Sequence, residues 1–210
     1  MDRSGSDAVH ESKAALRCRL LEERRRIEPE RRAVLSQAIA ERLYGLDAYR
    51  DADTVHLYIG AVEGEVATRN IAEETLARGK RVLCPRVERR PNRLESFEIR
   101  SLDELAESAH GLWEPDPARA RRADDGEIDL VIVPGIVFDR RGRRIGFGAG
   151  FYDRFLAGFQ SPRVALAFSL QVVAKVPHTD RDVPVDWIVT EEETIECRSA
   201  REAAMREAMP

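Results

Sequence analysis

Apolar residues change their spacing several times along this 210-residue chain, and the changes mark out its elements. Leu16, Leu20 and Leu21 recur at helical spacing behind Ser12, which predicts a capped helix to about Arg26. Leu35, Ile39 and Leu43 give the face of a second helix, from Pro29, a residue suited to a first helical turn, to about Leu46. Thr54 to Ile59 is strand-like. Thr68 is placed to cap a helix from Asn70 to Arg78, stopped by Gly79. Lys80 to Cys84 predicts a short buried strand ended by Pro85, and Leu94 to Ile99 alternates like a half-exposed strand. Ser101 and Glu104 have capping-box spacing for a short helix, and Gly111 to Pro115 reads as an ordered loop.

The densest apolar run is Ile128-Asp129-Leu130-Val131-Ile132-Val133, a buried strand ended by Pro134-Gly135. Phe151, Phe155, Leu156 and Phe159 then fall on one helical face. A strand at 163–168, a short helix from Gln171 to Lys175 and a strand from Trp187 to Thr190 complete the pattern. Strands alternate with helices, which predicts an α/β fold: a three-layer α/β/α single domain with a largely parallel central sheet over residues 11–197. A disordered stretch at 1–10 and a frayed helical tail at 198–210 flank it.

Charge narrows the partners. A formal net charge of −4 gives no general pull towards nucleic acid or an anionic membrane. No apolar run reaches membrane-spanning length, and the polar start carries no signal-peptide core, so a cytoplasmic location is expected. Cys18, Cys84 and Cys197 are far apart and form no C-x-x-C pair, which argues for free thiols.

The candidate chemistry gathers in Arg144-Ile145-Gly146-Phe147-Gly148-Ala149-Gly150-Phe151-Tyr152-Asp153-Arg154. Glycine permits close backbone approach to a ligand, and a following helix start offers unpaired N–H groups to a phosphate. In an extended loop, Gly146, Gly148 and Gly150 would all face one side and leave it bare. The alternative is a tight loop without a ligand. The string is neither G-x-x-x-x-G-K-[ST] nor G-x-G-x-x-G, because Phe151 stands where the spacing would change. Lys13, Arg17 and Arg24 lie roughly along one side of the first helix. Lys13 and Arg17 repel slightly at that spacing unless water screens them or an anion sits between them. Asp153 suits either a helix cap or a magnesium ligand. For Asp182, spacing alone favours a turn residue over a second metal acid. Glu65 follows a strand, where α/β folds place ligands. No role is assigned to His56.

Together these strings resemble the 5-formyltetrahydrofolate cyclo-ligase family over about residues 12 to 195. They come in family order: Lys13-x-x-Leu16-Arg17, Glu65-Val66-x-Thr68, Gly79-Lys80-x-Val82 leading to Pro85, Glu114-Pro115, Pro134-Gly135-x-x-Phe138-Asp139, the string from Gly142 to Arg154, and Asp182-Val183-Pro184-Val185-Asp186. The resemblance implies closure of 5-formyltetrahydrofolate to 5,10-methenyltetrahydrofolate by a monomer, with ATP as co-substrate and Mg²⁺ as cofactor. It implies that Lys13, Arg17 and Arg144, Ile145, Gly146, Phe147, Gly148, Ala149, Gly150, Phe151 and Tyr152 contact ATP. Arg144 and Tyr152 would be catalytic, Gly60 and Glu65 would meet the folate, and Asp153 and Asp182 would serve the metal. The chain departs from the pattern at Ala149, Phe151 and Ala67, where many members carry Lys or Gly, Tyr, and Asp. A non-catalytic relative that binds folate or nucleotide is the alternative, and a nicotinamide oxidoreductase is disfavoured by the failed glycine spacing.

Overall fold

A computed structural model describes residues 3–60, 64–89, 92–108 and 111–197, with side chains from Ser12 onward. The expected tail at 198–210 lies outside the described residues. Helices α1 (Arg3–Arg25), α2 (Pro29–Gly45) and α3 (Asp47–Arg50) come first, then strand β1 (Thr54–His56) and helix α4 (Thr68–Ala77). A long hairpin follows, β2 (Arg81–Arg89) and β3 (Asn92–Ile99), then short strands β4 (Leu105–Glu107), β5 (Trp113–Pro115) and β6 (Arg121–Arg122). The second half runs β7 (Leu130–Val133), β8 (Val137–Asp139), β9 (Arg144–Ile145), α5 (Phe151–Leu156), β10 (Arg163–Leu166), β11 (Val172–Val173), β12 (Trp187–Val189) and β13 (Thr194–Glu196).

The main sheet has the order β13-β12-β10-β7-β1-β2-β3-β6. Its five central strands, β12, β10, β7, β1 and β2, are parallel, and β13, β3 and β6 add antiparallel margins. From β1 the chain winds outward one way to β2, and from β7 the other way to β10 and β12, so the order reverses between β1 and β7. Such a reversal opens a crevice beyond the strands' carboxyl ends.

Each face of the sheet has its own core. Leu130 and Ile132 of β7 pack with Ile39, Leu43, Tyr49 and Ile71 from α2, α3 and α4. Val131 and Val133 face the other way, against Leu156, Phe155 and Phe159 around α5. This alternation is what a strand buried on both faces requires. The three layers are therefore present, but α5 is six residues long and connecting segments at Ile128 and Val185 complete its layer. A third, smaller core joins Leu16, Leu20 and Leu21 of α1 to Ile136, Val137, Ile145 and Val176 beside the β11-β8-β9 sheet. Among the described residues no helix is long and apolar enough to cross a membrane.

Several expectations are corrected. The first helix starts at Arg3 instead of Ser12. Once the leucine face has docked, adding turns is much easier than starting a helix. Pro85 does not end β2 but pairs with Ser96 inside it. Leu83 C=O points to β1, where Leu57 N–H donates to it, so position 85 points its missing N–H the same way. β1 has ended by then, and no ladder bond is lost. Thr68 caps nothing; its hydroxyl accepts from Gly60 N–H and the helix N-cap is Ala67. The helix expected at 171–175 is a 3₁₀ turn, Ser169–Gln171, followed by β11. Val172 and Val173 are β-branched and pair with Phe138 and Asp139.

Candidate active site

The glycine loop leaves β9 and enters α5. Ile145 anchors it: the side chain is buried in the third core and the carbonyl accepts from Ile136 N–H. Any contact of Ile145 with ATP would therefore come from its backbone. The loop is not extended. Gly148 has φ +103° and Gly150, the N-cap of α5, has φ +66°, both conformations that L side chains avoid. Phe147, Gly148 and Ala149 are exposed. Because α5 is so short, its dipole adds little, and the loop's own amides are what it can offer an anion. Arg154 ties the loop down, donating to Ala149 C=O (3.0 Å) and to Asn92 C=O (3.1 Å) at the tip of the β2–β3 hairpin, with its guanidinium 5.4 Å from the Phe151 ring.

Helix α1 meets this loop. Arg17 Nε donates to Gly146 C=O at 2.8 Å, and Lys13 Nζ to Asp182 Oδ2 at 2.6 Å. Thr179 donates to the same Asp182 oxygen from its amide (2.6 Å) and hydroxyl (3.1 Å). Burial alone would lift the Asp182 carboxyl, but the Lys13 ammonium and the Thr179 donors outweigh it and hold it below the usual carboxylate range. Arg144, buried in β9, donates to Asp153 Oδ1 at 2.8 Å, and that oxygen also accepts from Val183 N–H at 3.2 Å. Burial pushes the Arg144 guanidinium down from its ordinary value, opposed first by Asp153. So residues from α1, β9, α5 and the 177–184 segment converge: Lys13, Arg17, Arg144, Asp153 and Asp182.

The two acids are joined through Val183, and each leaves one carboxylate oxygen without a hydrogen-bond partner among the described residues. Among those residues no group of three or more His, Cys, Asp or Glu side chains gathers. Two hard carboxylates, each with one oxygen left over, nonetheless fit Mg²⁺, which takes one or two carboxylates and fills its other positions with water and phosphate oxygens.

Tyr152 stands between this cluster and the end of β1. Its hydroxyl is sealed from solvent and has no hydrogen-bond partner among the described residues. Burial raises its pKa first, and Tyr58, Cys84 and Glu65 add to that while Arg144 opposes it, so both halves of the crevice act on one hydroxyl. Beneath it His56 is fully buried, 4.8 Å from the Phe155 ring, with both ring nitrogens unpartnered among the described residues. Glu65 Oε2 lies 3.4 Å from where a Gly60 Cβ would be, so these two residues do meet. Arg24, given no role by the sequence, is buried close by at the far end of α1. Its one sequence signal was sharing a helix side with Lys13 and Arg17.

The sequence model of the 5-formyltetrahydrofolate cyclo-ligase family matches residues 9–191. The 5-formyltetrahydrofolate cyclo-ligase of Mycolicibacterium smegmatis is 31% identical over 186 residues, 85% of this chain and 93% of that protein. The Escherichia coli (strain K12) protein of the same name is 29% identical over 171 residues, 80% of this chain and 93% of its own. Among solved structures, the 5,10-methenyltetrahydrofolate synthetase of Aquifex aeolicus superposes with a TM-score of 0.79 at 33% identity, covering 89% of this chain and 93% of that one. With the family profile spanning nearly the whole described sheet, the chain belongs to the 5-formyltetrahydrofolate cyclo-ligase family.

Proposed function

We propose that this protein converts 5-formyltetrahydrofolate and ATP to 5,10-methenyltetrahydrofolate, ADP and phosphate, with Mg²⁺ as cofactor. The observation that carries the reading is the meeting of α1 with the glycine loop, which puts Lys13, Arg17 and Arg144 beside Asp153 and Asp182. In this scheme the γ-phosphoryl group passes to the formyl oxygen. N10 then attacks the formyl carbon and loses its proton, and the oxygen departs as phosphate. An amide-like oxygen is a poor leaving group until it is phosphorylated.

Phosphoryl transfer asks the protein for position and positive charge more than for a covalent partner. The loop amides at Gly146, Gly148 and Gly150 cradle the phosphates, and Phe147, Ala149 and Phe151 form the rest of that loop. Lys13 and Arg17 approach from α1. Arg144 is held by Asp153 in a dry setting, where a fixed charge acts strongly on a developing anion. Tyr152 offers its hydroxyl at the junction of the two substrates. Gly60 leaves room for the pterin, whose adjacent N–H groups suit the two oxygens of Glu65. Asp153 and Asp182 would hold Mg²⁺, which supplies further charge neutralisation at the phosphate oxygens.

Turnover, followed by methenyltetrahydrofolate absorbance with ATP and Mg²⁺ present, tests the reading directly. Asp153→Asn should lower kcat about 100-fold, in the range for removing one preorganised charge. Asn still accepts from Val183 and Arg144, but Arg144 stays buried without its full counter-charge, so a clear fall in Tm accompanies the change. Wild-type turnover in Asp153→Asn across a magnesium titration, measured well below Tm, would remove Asp153 from the metal site.

A further inference from the structure

Lys13, Arg17 and Arg24 occur at i, i+4 and i+11 of α1, one side of one helix. The first two serve Asp182 and the glycine loop. Arg24 is the most enclosed of the three, at 1% exposure, although nothing in the proposed chemistry uses it. An arginine is kept out of water only where opposite charge or several acceptors compensate it.

The compensation comes from the segment beyond β1. Gly64, at φ +84°, turns so closely over Arg24 that a Cβ there would stand 3.4 Å from both Cγ and Nε. The next residue is Glu65, whose carboxylate acts on Arg24 more strongly than any other charge among the described residues, with Tyr58 second. On the opposite side, Glu65 Oε2 lies against Gly60, and Gly60 is fixed in turn by the Thr68 hydroxyl. A glutamate at a surface turn samples many rotamers, whereas one set between a buried guanidinium and a fixed backbone samples few.

The geometry points to Arg24 as a positioning residue that fixes the Glu65 carboxylate for the folate, which makes α1 a common support for both substrates. This rests on Glu65 as the folate acceptor. Arg24 does not touch substrate in this scheme; it acts through Glu65. Its planar fork matters as well as its charge, because a lysine at the same place offers a point charge without a fixed direction.

The test uses the full chain and four variants: Arg24→Met, Arg24→Lys, Glu65→Gln and the double variant Arg24→Met with Glu65→Gln. Each is read for the folate KM, the ATP KM, kcat and Tm. Arg24→Met should raise the folate KM about tenfold, the scale of effect expected from a misplaced binding group, and leave the ATP KM unchanged. Arg24→Lys should raise it about threefold, because charge without the fork only partly restores the orientation. The double variant should be no worse than Glu65→Gln alone, since both changes remove one interaction. A purely structural Arg24 would instead lower Tm and the active fraction, leave both KM values in place and add to Glu65→Gln. A wild-type folate KM in both Arg24 variants, or full additivity in the double variant, overturns the proposal. If Arg24→Met does not fold, Arg24→Lys decides: a raised folate KM supports the proposal and a wild-type value overturns it. A wild-type folate KM in Glu65→Gln strikes the reading of Glu65 itself, and the role of Arg24 falls with it.

Discussion

Gly148→Val should abolish the ATP-dependent rise in melting temperature that the proposed nucleotide site predicts. Wild-type protein at an ATP concentration 100 times its Kd gains about 2.7 kcal/mol, and for a chain of this length roughly 5–10 °C in Tm. Position 148 sits at φ +103°, so any side chain there strains the loop, and a β-branched one resists that conformation most. Strain of this kind is on the order of 1–3 kcal/mol, and an exposed loop relieves part of it by changing shape. A changed loop no longer aims its amides at the phosphates. Gly148→Ala separates the causes: its Cβ would be 3.6 Å from Arg17 Nη2, an ordinary contact, so only the backbone strain remains. Thermal melts of both variants with and without Mg-ATP make the measurement. If both keep the wild-type shift, the glycine loop does not bind nucleotide.

Acid should begin to destabilise this protein through His56 before most of its carboxylates titrate. Burial pushes the His56 imidazole down to about 3 in the native state, while the unfolded chain keeps the ordinary value near 6.5. The sign follows from where protons bind. Above pH 6.5 neither state is protonated and the stability is full. Below it the unfolded state takes up a proton that the native state refuses, so stability falls with pH until the native imidazole also titrates near 3. The loss is about 2 kcal/mol at pH 5 and on the order of 4 kcal/mol at pH 3. The ring packs against Tyr152 and Phe155, and only its own backbone opposes the effect of burial among the described residues. Urea unfolding of wild type and His56→Leu at pH 7, 6 and 5 checks this. An equal pH slope in both proteins would show that His56 is not the responsible group.

What could be read from the residues alone followed the range of the interactions involved. The Ile128–Val133 strand, the leucine face of α1 and the turn from glycine loop to α5 are local patterns, and each appears where its spacing predicts it. Asp153 beside the loop was visible for the same reason. The Lys13–Asp182 pair spans 169 positions, so no spacing rule could have paired them without the family resemblance. Pro85 misled because its usual meaning as a strand breaker assumes neighbours on both edges, and β2 outruns β1. Thr68 misled because a hydroxyl at a helix start serves a distant amide as readily as its own turn. His56 had no pattern to betray it: its burial comes from α5 closing over β1.

The separate small core under α1 bears on amide exchange. Leu16, Leu20 and Leu21 reach neither of the two cores that flank the main sheet. The helix can therefore lift from its small sheet in a sub-global opening that leaves β7 and its neighbours paired, while Phe138 keeps that sheet fixed to the core beside β7. Lys13 and Arg17 travel with it, so the cations proposed to meet the nucleotide sit on an element that reaches neither core of the main sheet. Under the proposed reaction, release of ADP and phosphate would require no breach of the central strands; deuterium uptake in α1 should run ahead of uptake in β7 and slow when Mg-ATP is added.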